Sequence, residues 1–349
     1  MFIGIDYHKP RGGVAAVEYV YAQWMHPFKF VASTVAGNKA TKSLVVVRAL
    51  FVFVYKMITD RDIKIVHVHG ASYASFWRKR IFIKIAILFG KKVVYHCHGA
   101  EYKKFASQHS MAVKGMLNKC DCIIALSKSW KEWFHNEMGC KQIIVIKNVI
   151  PEPKVENDTT PNSNNDFTLL FLGRIGERKG IYDLVNVISE NKSRYEGHLK
   201  LVVGGDGESE KLCSMIQERG LANLISCEGW ISGVKKNDLL NNADAYILPS
   251  YNEGLPISIL EAMSYQLPII STQVGGIPEI VEDGVNGFLI EAGNKVQLEA
   301  SIDKLMVDKG LREKMGAASA RKVKEYLPEH VMRQLSELYS KILDDEKIH

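Results

Sequence analysis

Three features of the 349-residue sequence predict an α/β fold of two Rossmann-like, doubly wound domains facing a central cleft. Short β-like apolar runs alternate with longer helical patterns throughout, the pattern of parallel sheets covered by helices. Near the middle, PEPKVENDTTPNSNND at 151–166 is polar, proline-bearing and without periodicity, and reads as a linker. With 46% hydrophobic composition the chain can also bury a large core.

In chain order, the first domain (1–150) has candidate strands at Phe2–Asp6, Ile65–His69, Lys92–His96, Cys122–Leu126 and Ile143–Lys147. The second (167–327) has them at Thr168–Leu172, Leu199–Val203, Leu224–Glu228, Ala245–Pro249 and Pro268–Thr272. The amphipathic tail Pro328–Leu343 reads as a helix, and 328–349 is assigned back to the first domain. Ligands of such sheets bind beyond the carboxyl ends of strands, so the residues that follow each strand are where chemistry is sought.

Charge divides sharply along the chain. Residues 1–150 hold 23 Lys and Arg against 8 Asp and Glu, a balance of +15, whereas 151–349 balance at −9 within a net charge of +6. The first half is thus expected to meet something anionic. No Arg-rich aromatic platform or other nucleic-acid motif appears, so an anionic membrane surface is preferred over nucleic acid. Leu44–Ile58 and Ile81–Phe89 are strongly apolar but too short and too interrupted by charge to span a bilayer. The first reads as a core helix. The second, inside the basic segment Arg78–Lys92, suits a helix resting among headgroups. Met1–Asp6 reads as a strand without a secretory signal, and six cysteines lack metal or disulfide spacing, so a reduced, cytoplasmic chain is expected.

The most informative motif is EGLPISILE. Glu253 and Glu261 stand eight residues apart, with Gly254, Leu255 and Pro256 after the first. Pro256 suits the opening turn of a helix, whose free N–H groups can hold a phosphate. Two helical turns, ~12 Å, would let the glutamates touch opposite ends of one elongated ligand. Arg174 and Lys179 follow the strand Thr168–Leu172 and supply the positive charge a diphosphate needs. Gly205 lies in the tight turn Gly204-Gly205-Asp206-Gly207, and Ile231 closes Glu228-Gly229-Trp230-Ile231, where a nucleobase would lie against exposed backbone. The glycines of Val274-Gly275-Gly276 permit close backbone approach.

The succession GRIGERKG, GGDGE, EGW, ADAYILPSYNEGLPISILEAMSYQLPIISTQVGGIPEI resembles the retaining family 4 glycosyltransferases of the GT-B fold, densely over 167–292 and more thinly before. That resemblance implies a nucleotide-diphosphate-sugar donor bound mainly by the second domain. Arg174 and Lys179 would take the diphosphate, Glu261 the ribose hydroxyls and Glu253 the sugar hydroxyls, with Gly254 to Pro256 lending backbone. It also implies that the loop of Gly12 and Gly13 approaches the donor phosphates. His98, in His98-Gly99-Ala100-Glu101 after a strand, would face the donor sugar. The catalytic set implied is His98, Arg174, Lys179 and Glu253.

His96 and His98 lack a third ligand of suitable spacing, so no metal is expected and no cofactor beyond the donor. Asp60-Arg61-Asp62 precedes a strand rather than following one and reads as a solvated loop. The activity expected is transfer of a sugar, most simply from a UDP-sugar, to a glycan acceptor. A lipid-linked acceptor at the inner membrane face suits the basic first half. A nucleotide-sugar epimerase of similar architecture and a noncatalytic nucleotide-binding scaffold are the alternatives.

Overall fold

The computed structural model describes residues 1–8, 12–35, 39–99, 101–154 and 166–344. The chain divides into two units, Met1–Pro151 with Glu325–His349, and Glu152–Lys324. Each holds a six-stranded sheet whose described pairings are all parallel. Of the linker expected at 151–166, residues 155–165 lie outside the described residues.

In the first unit the strands are β1 (Phe2–Gly4), β2 (Phe30–Ala32), β3 (Ile65–Gly70), β4 (Lys92–Cys97), β5 (Cys122–Ala125) and β6 (Ile143–Val145), in the order β2-β1-β3-β4-β5-β6. Every residue of β3 is buried, because helices cover both faces of a parallel sheet. Val66, Val68, Phe76, Phe82, Tyr95 and Phe105 pack the core around it. The tail forms the helix Pro328–Asp344, burying Val331, Leu335, Leu338 and Ile342 at helical spacing. It is fastened to this unit by Tyr339, whose hydroxyl lies 2.5 Å from His67 Nδ1.

In the second unit the strands are β7 (Phe167–Leu172), β8 (Leu199–Gly204), β9 (Ile225–Cys227), β10 (Ala245–Leu248), β11 (Ile269–Thr272) and β12 (Gly287–Ile290). Their order is β12-β11-β10-β7-β8-β9, the doubly wound arrangement that reverses between β7 and β10. At such a reversal the flanking loops part and leave a crevice for ligand.

Ten strands fall where the sequence predicts them, within a residue or two, while β2 and β12 go beyond that prediction. Both are sheet edges of three and four residues, too short for alternation to register. A second difference concerns helix Lys39–Thr59. The sequence reads as a core helix here, yet only one side of it faces the core, through Ala49, Phe53 and Met57. Asp60, from the loop read as solvated, is paired with Lys29 at 2.6 Å. Among the described residues no helix is long and apolar enough to cross a membrane.

Candidate functional site

Loops at the carboxyl ends of β7, β8 and β9 are stitched together by backbone. Gly173 N–H donates to Gly204 O at 2.9 Å, Ile175 N–H to Asp206 O at 2.7 Å and Gly205 N–H to Gly229 O at 2.7 Å. A Cβ on Gly205 would stand 1.8 Å from Gly173 O, so glycine is what lets these loops close up. Ile231 is buried with its side chain over Gly204. Arg174, exposed and without an ion pair within 4 Å among the described residues, projects from the same loops.

The loop after β7 continues as a single turn, Glu177–Lys179, ended by Gly180 in the left-handed region at φ 69°. A Cβ there would meet Pro249 O at 2.0 Å. This close approach seats Lys179 beside the loop after β10. Lys179 Nζ donates to Glu253 Oε1, which also accepts from Ser250 Oγ at 2.7 Å. Arg178 Nη1 stands 4.0 Å from Glu253 Oε2 and donates to Asn252 O at 2.7 Å. Glu253 is buried, and Lys179 nearly so. Burial pushes the Lys179 ammonium below its ordinary pKa, a pull that outweighs the opposing attraction of Glu253.

Glu253 is held from behind by the turn after β11. Gly276 N–H donates to Gly254 O at 2.7 Å, and Gly275 sits at φ 58° with room for no Cβ, which would lie 1.9 Å from Glu253 O. The expectation about helical spacing needs correction. Pro256 is the N-cap of the helix Ile257–Ser264, so Glu253 to Glu261 spans a loop and little more than one turn rather than two. No side chain caps this helix start, leaving its first N–H groups for a ligand. Glu261 is buried on the helix and accepts from Lys236 Nζ at 2.5 Å through Oε1.

The structure therefore gathers Arg174, Lys179, Gly205, Ile231, Glu253, Gly254, Leu255, Pro256 and Glu261 around the carboxyl ends of β7 to β11 in the second unit. It adds Ser250, Arg178 and Lys236, which sequence reasoning missed. Ser250 stands three residues before Glu253 and was legible as a neighbour. Lys236 is one of two adjacent lysines, and only the packing of its helix, Gly233–Asn242, shows which reaches Glu261.

Gly12, Gly13 and His98 belong to the first unit. Gly12 is exposed at φ 93° and caps the helix Gly13–Trp24, with nothing within 4 Å of where a Cβ would be; Arg11 and Ala100 lie outside the described residues. His98 is tied down: its Nε2 lies 2.8 Å from His69 Nδ1, and its ring also bonds the Asn148 side chain. Contact with a sugar would require it to exchange a partner.

Around it β3 and β4 bring His67, His69 and His96 together, with one nitrogen of each within 4.8 Å of the others. Sequence reasoning weighed only His96 and His98. His67 and His69 stack at 4.8 Å and 17°, so their in-plane lone pairs run side by side, and a shared ion would need one ring to turn. Burial depresses the pKa of all four, to about 3 for His98. Below pH 6.5 the unfolded chain takes up protons that the folded chain refuses, so stability falls as pH drops toward the folded pKa values. Each such histidine costs about 1.4 kcal/mol per pH unit in that range. Melting followed from pH 8 to 5 is expected to show a steep fall in Tm beginning near 6.5, shallower in His69→Asn.

Comparison with known proteins agrees with this geometry. Residues 26–152 match the family described as Glycosyltransferase Family 4, and 154–322 the family described as Glycosyl transferases group 1. A putative colanic acid biosynthesis glycosyltransferase, WcaL of Salmonella typhimurium, is 22% identical over 74% of this chain and 66% of its own length. The N-acetyl-alpha-D-glucosaminyl L-malate synthase of Bacillus anthracis is 26% identical over 73% of this chain and 69% of its own. The aligned stretch thus spans about two thirds of these relatives. Among solved structures, Anabaena HepE in complex with UDP-glucose superposes with a TM-score of 0.77 at 18% identity, covering 97% of this chain and 98% of that one. Two family matches that together take in most of the chain, with two parallel sheets in doubly wound order, place the protein among the group 1, family 4 glycosyltransferases of the GT-B fold.

Proposed function

We propose that the protein is a retaining glycosyltransferase that moves a sugar from a UDP-sugar to a hydroxyl of a glycan acceptor. The acceptor is lipid-linked, in surface polysaccharide assembly, and is met at the inner face of the membrane. The observation that carries this reading is the buried group of Lys179, Glu253 and Ser250 beside the sheet reversal between β7 and β10. Lys179 spends one N–H on Glu253 and keeps two for phosphate oxygens. Glu253 Oε1 is taken by Lys179 and Ser250, while Oε2 accepts no hydrogen bond among the described residues and remains for sugar hydroxyls. Glu261 likewise gives Oε1 to Lys236 and keeps Oε2 for a ribose.

In the reaction the bond from the anomeric carbon to the leaving phosphate oxygen breaks, and its electron pair departs with UDP. The acceptor oxygen bonds to the same face of the anomeric carbon and passes its proton to the departing phosphate. Arg174, Lys179 and the free N–H groups of Ile257–Ser264 hold the charge that develops, so no metal ion is invoked. Retention rests on the EGLPISILE resemblance. UDP is favoured because solved relatives are complexes with UDP, with UDP and glucose, and with UDP-glucose. Relatives named for colanic acid, amylovoran and capsular polysaccharide biosynthesis support the acceptor class.

Thermal shift with UDP, GDP, ADP and their sugars in EDTA tests the donor site. Saturation at a hundred times Kd stabilises by ~2.7 kcal/mol, so UDP is expected to raise Tm by several degrees. No rise with any nucleotide, or a rise that requires added divalent metal, would overturn the donor assignment.

A further inference from the structure

We infer that the first unit docks on an anionic lipid surface through the outward face of helix Lys39–Thr59 and the adjoining face of helix Ala74–Leu88. The first helix turns Ala49, Phe53 and Met57 inward. A surface helix is ordinarily polar on its other side. Here Leu44, Val47, Phe51, Tyr55 and Ile58, at spacings of three and four, make an exposed apolar stripe; Leu44 is 71%, Phe51 74% and Tyr55 66% exposed. Exposed apolar patches of this kind mark interaction surfaces.

The second helix packs beside it through Phe53 and Phe82, whose ring centroids are 5.3 Å apart. It exposes Trp77, Ile81 and, at 83%, Leu88. Arg80 lies 5.5 Å over the Trp77 ring, and Lys84 is exposed. Across 41–59 and 73–92 the chain carries nine Lys and Arg and no Asp or Glu; Lys79 is buried and donates to Gly4 O at 2.9 Å, and the other eight supply the positive charge of this surface.

That charge pattern selects the occupant. A second copy of the chain would bring the same cations face to face. A bilayer takes the apolar side chains beneath its headgroups while Lys and Arg meet lipid phosphates, and Trp and Tyr suit the boundary. Neither helix can cross the membrane, so the contact is a resting one. The sequence favoured Arg78–Lys92 for this role; the structure makes Lys39–Thr59 the larger apolar contributor. The inference deepens the proposed function and rests on it for its purpose, the presentation of a lipid-linked acceptor.

Sedimentation of the full chain with vesicles tests it, and needs neither donor nor acceptor, so the two readings fail separately. With equal parts phosphatidylcholine and phosphatidylglycerol, binding is expected to exceed that to phosphatidylcholine alone by roughly tenfold or more. Phe51→Ser with Tyr55→Ser is expected to cost at least about tenfold at low and physiological salt. Arg48→Gln with Lys84→Gln is expected to weaken binding and flatten its salt dependence. All four side chains are exposed, so melting should be unchanged. Absence of binding to mixed vesicles at low salt would overturn the inference. So would unaltered binding by the Phe51→Ser, Tyr55→Ser variant, or a dimer in the ultracentrifuge that this variant abolishes while the parent ignores vesicles.

Discussion

Lys179→Met is expected to lower sugar transfer by about 10²- to 10³-fold, the range typical of removing one preorganised group from a developing negative charge. The electrostatics of the pair explain why function should suffer more than folding. Burial depresses the Lys179 pKa despite the adjacent carboxylate, so the ammonium gains less from Glu253 than it loses by leaving water. Such a pair is a poor stabiliser and a good receptor, because an arriving diphosphate supplies the charge the lysine lacks. Removing Lys179 alone leaves buried Glu253 with only Ser250 and, at 4.0 Å, Arg178, at a cost below the ~3–5 kcal/mol of a wholly uncompensated buried charge. Lys179→Met combined with Glu253→Gln should therefore recover much of the lost Tm and none of the lost turnover. Glu253→Gln alone keeps the shape of the loop and loses the acceptor for sugar hydroxyls, with transfer falling by a similar order. Initial rates and melting curves for the three variants decide the matter. Near-normal transfer in Lys179→Met would remove the lysine from the donor site.

What the sequence disclosed here was whatever is written locally. Glu253, Gly254, Leu255 and Pro256 can be placed on one loop because they are consecutive. Arg174 and Lys179 could be placed at a strand's carboxyl end because β7 is a plain apolar run. Ion pairing between elements was not local. Glu261 finds Lys236 across 25 residues, and nothing in the neighbouring Lys235 distinguishes it except that it turns to Glu228 instead. The histidine cluster is half visible, since β4 and the residue after it show His96 and His98, but β3 places His69 opposite His96 only through strand register. The exposed face of helix Lys39–Thr59 is hidden in the sequence for another reason. Its residues are apolar around most of the circumference, so periodicity could not say that one face would be left outside.

Gly275→Ala is expected to be nearly as damaging to transfer as loss of Lys179, although Gly275 offers no side chain to any ligand. Two costs fall on the same atom. At φ 58° an L-residue pays about 1–2 kcal/mol for the left-handed backbone. The new methyl would also stand 1.9 Å from Glu253 O, which is backbone and cannot swing aside as a side-chain tip would. The loop carrying Glu253 must then retreat, drawing the carboxylate away from Lys179 and Ser250, and positional errors near 1 Å cost on the order of 10²-fold in rate. Gly284→Ala separates the two costs: Gly284 sits at φ 72° in the same unit, with nothing within 4 Å of its would-be Cβ. It should lower Tm by the backbone cost alone, ~2–8 °C for a unit of this size, and leave transfer intact. Gly275→Ala should lower Tm further and abolish most transfer and UDP-induced stabilisation. Equal behaviour of the two variants would mean that the turn after β11 does not seat Glu253, and that the glutamate is held by Lys179 and Ser250 alone.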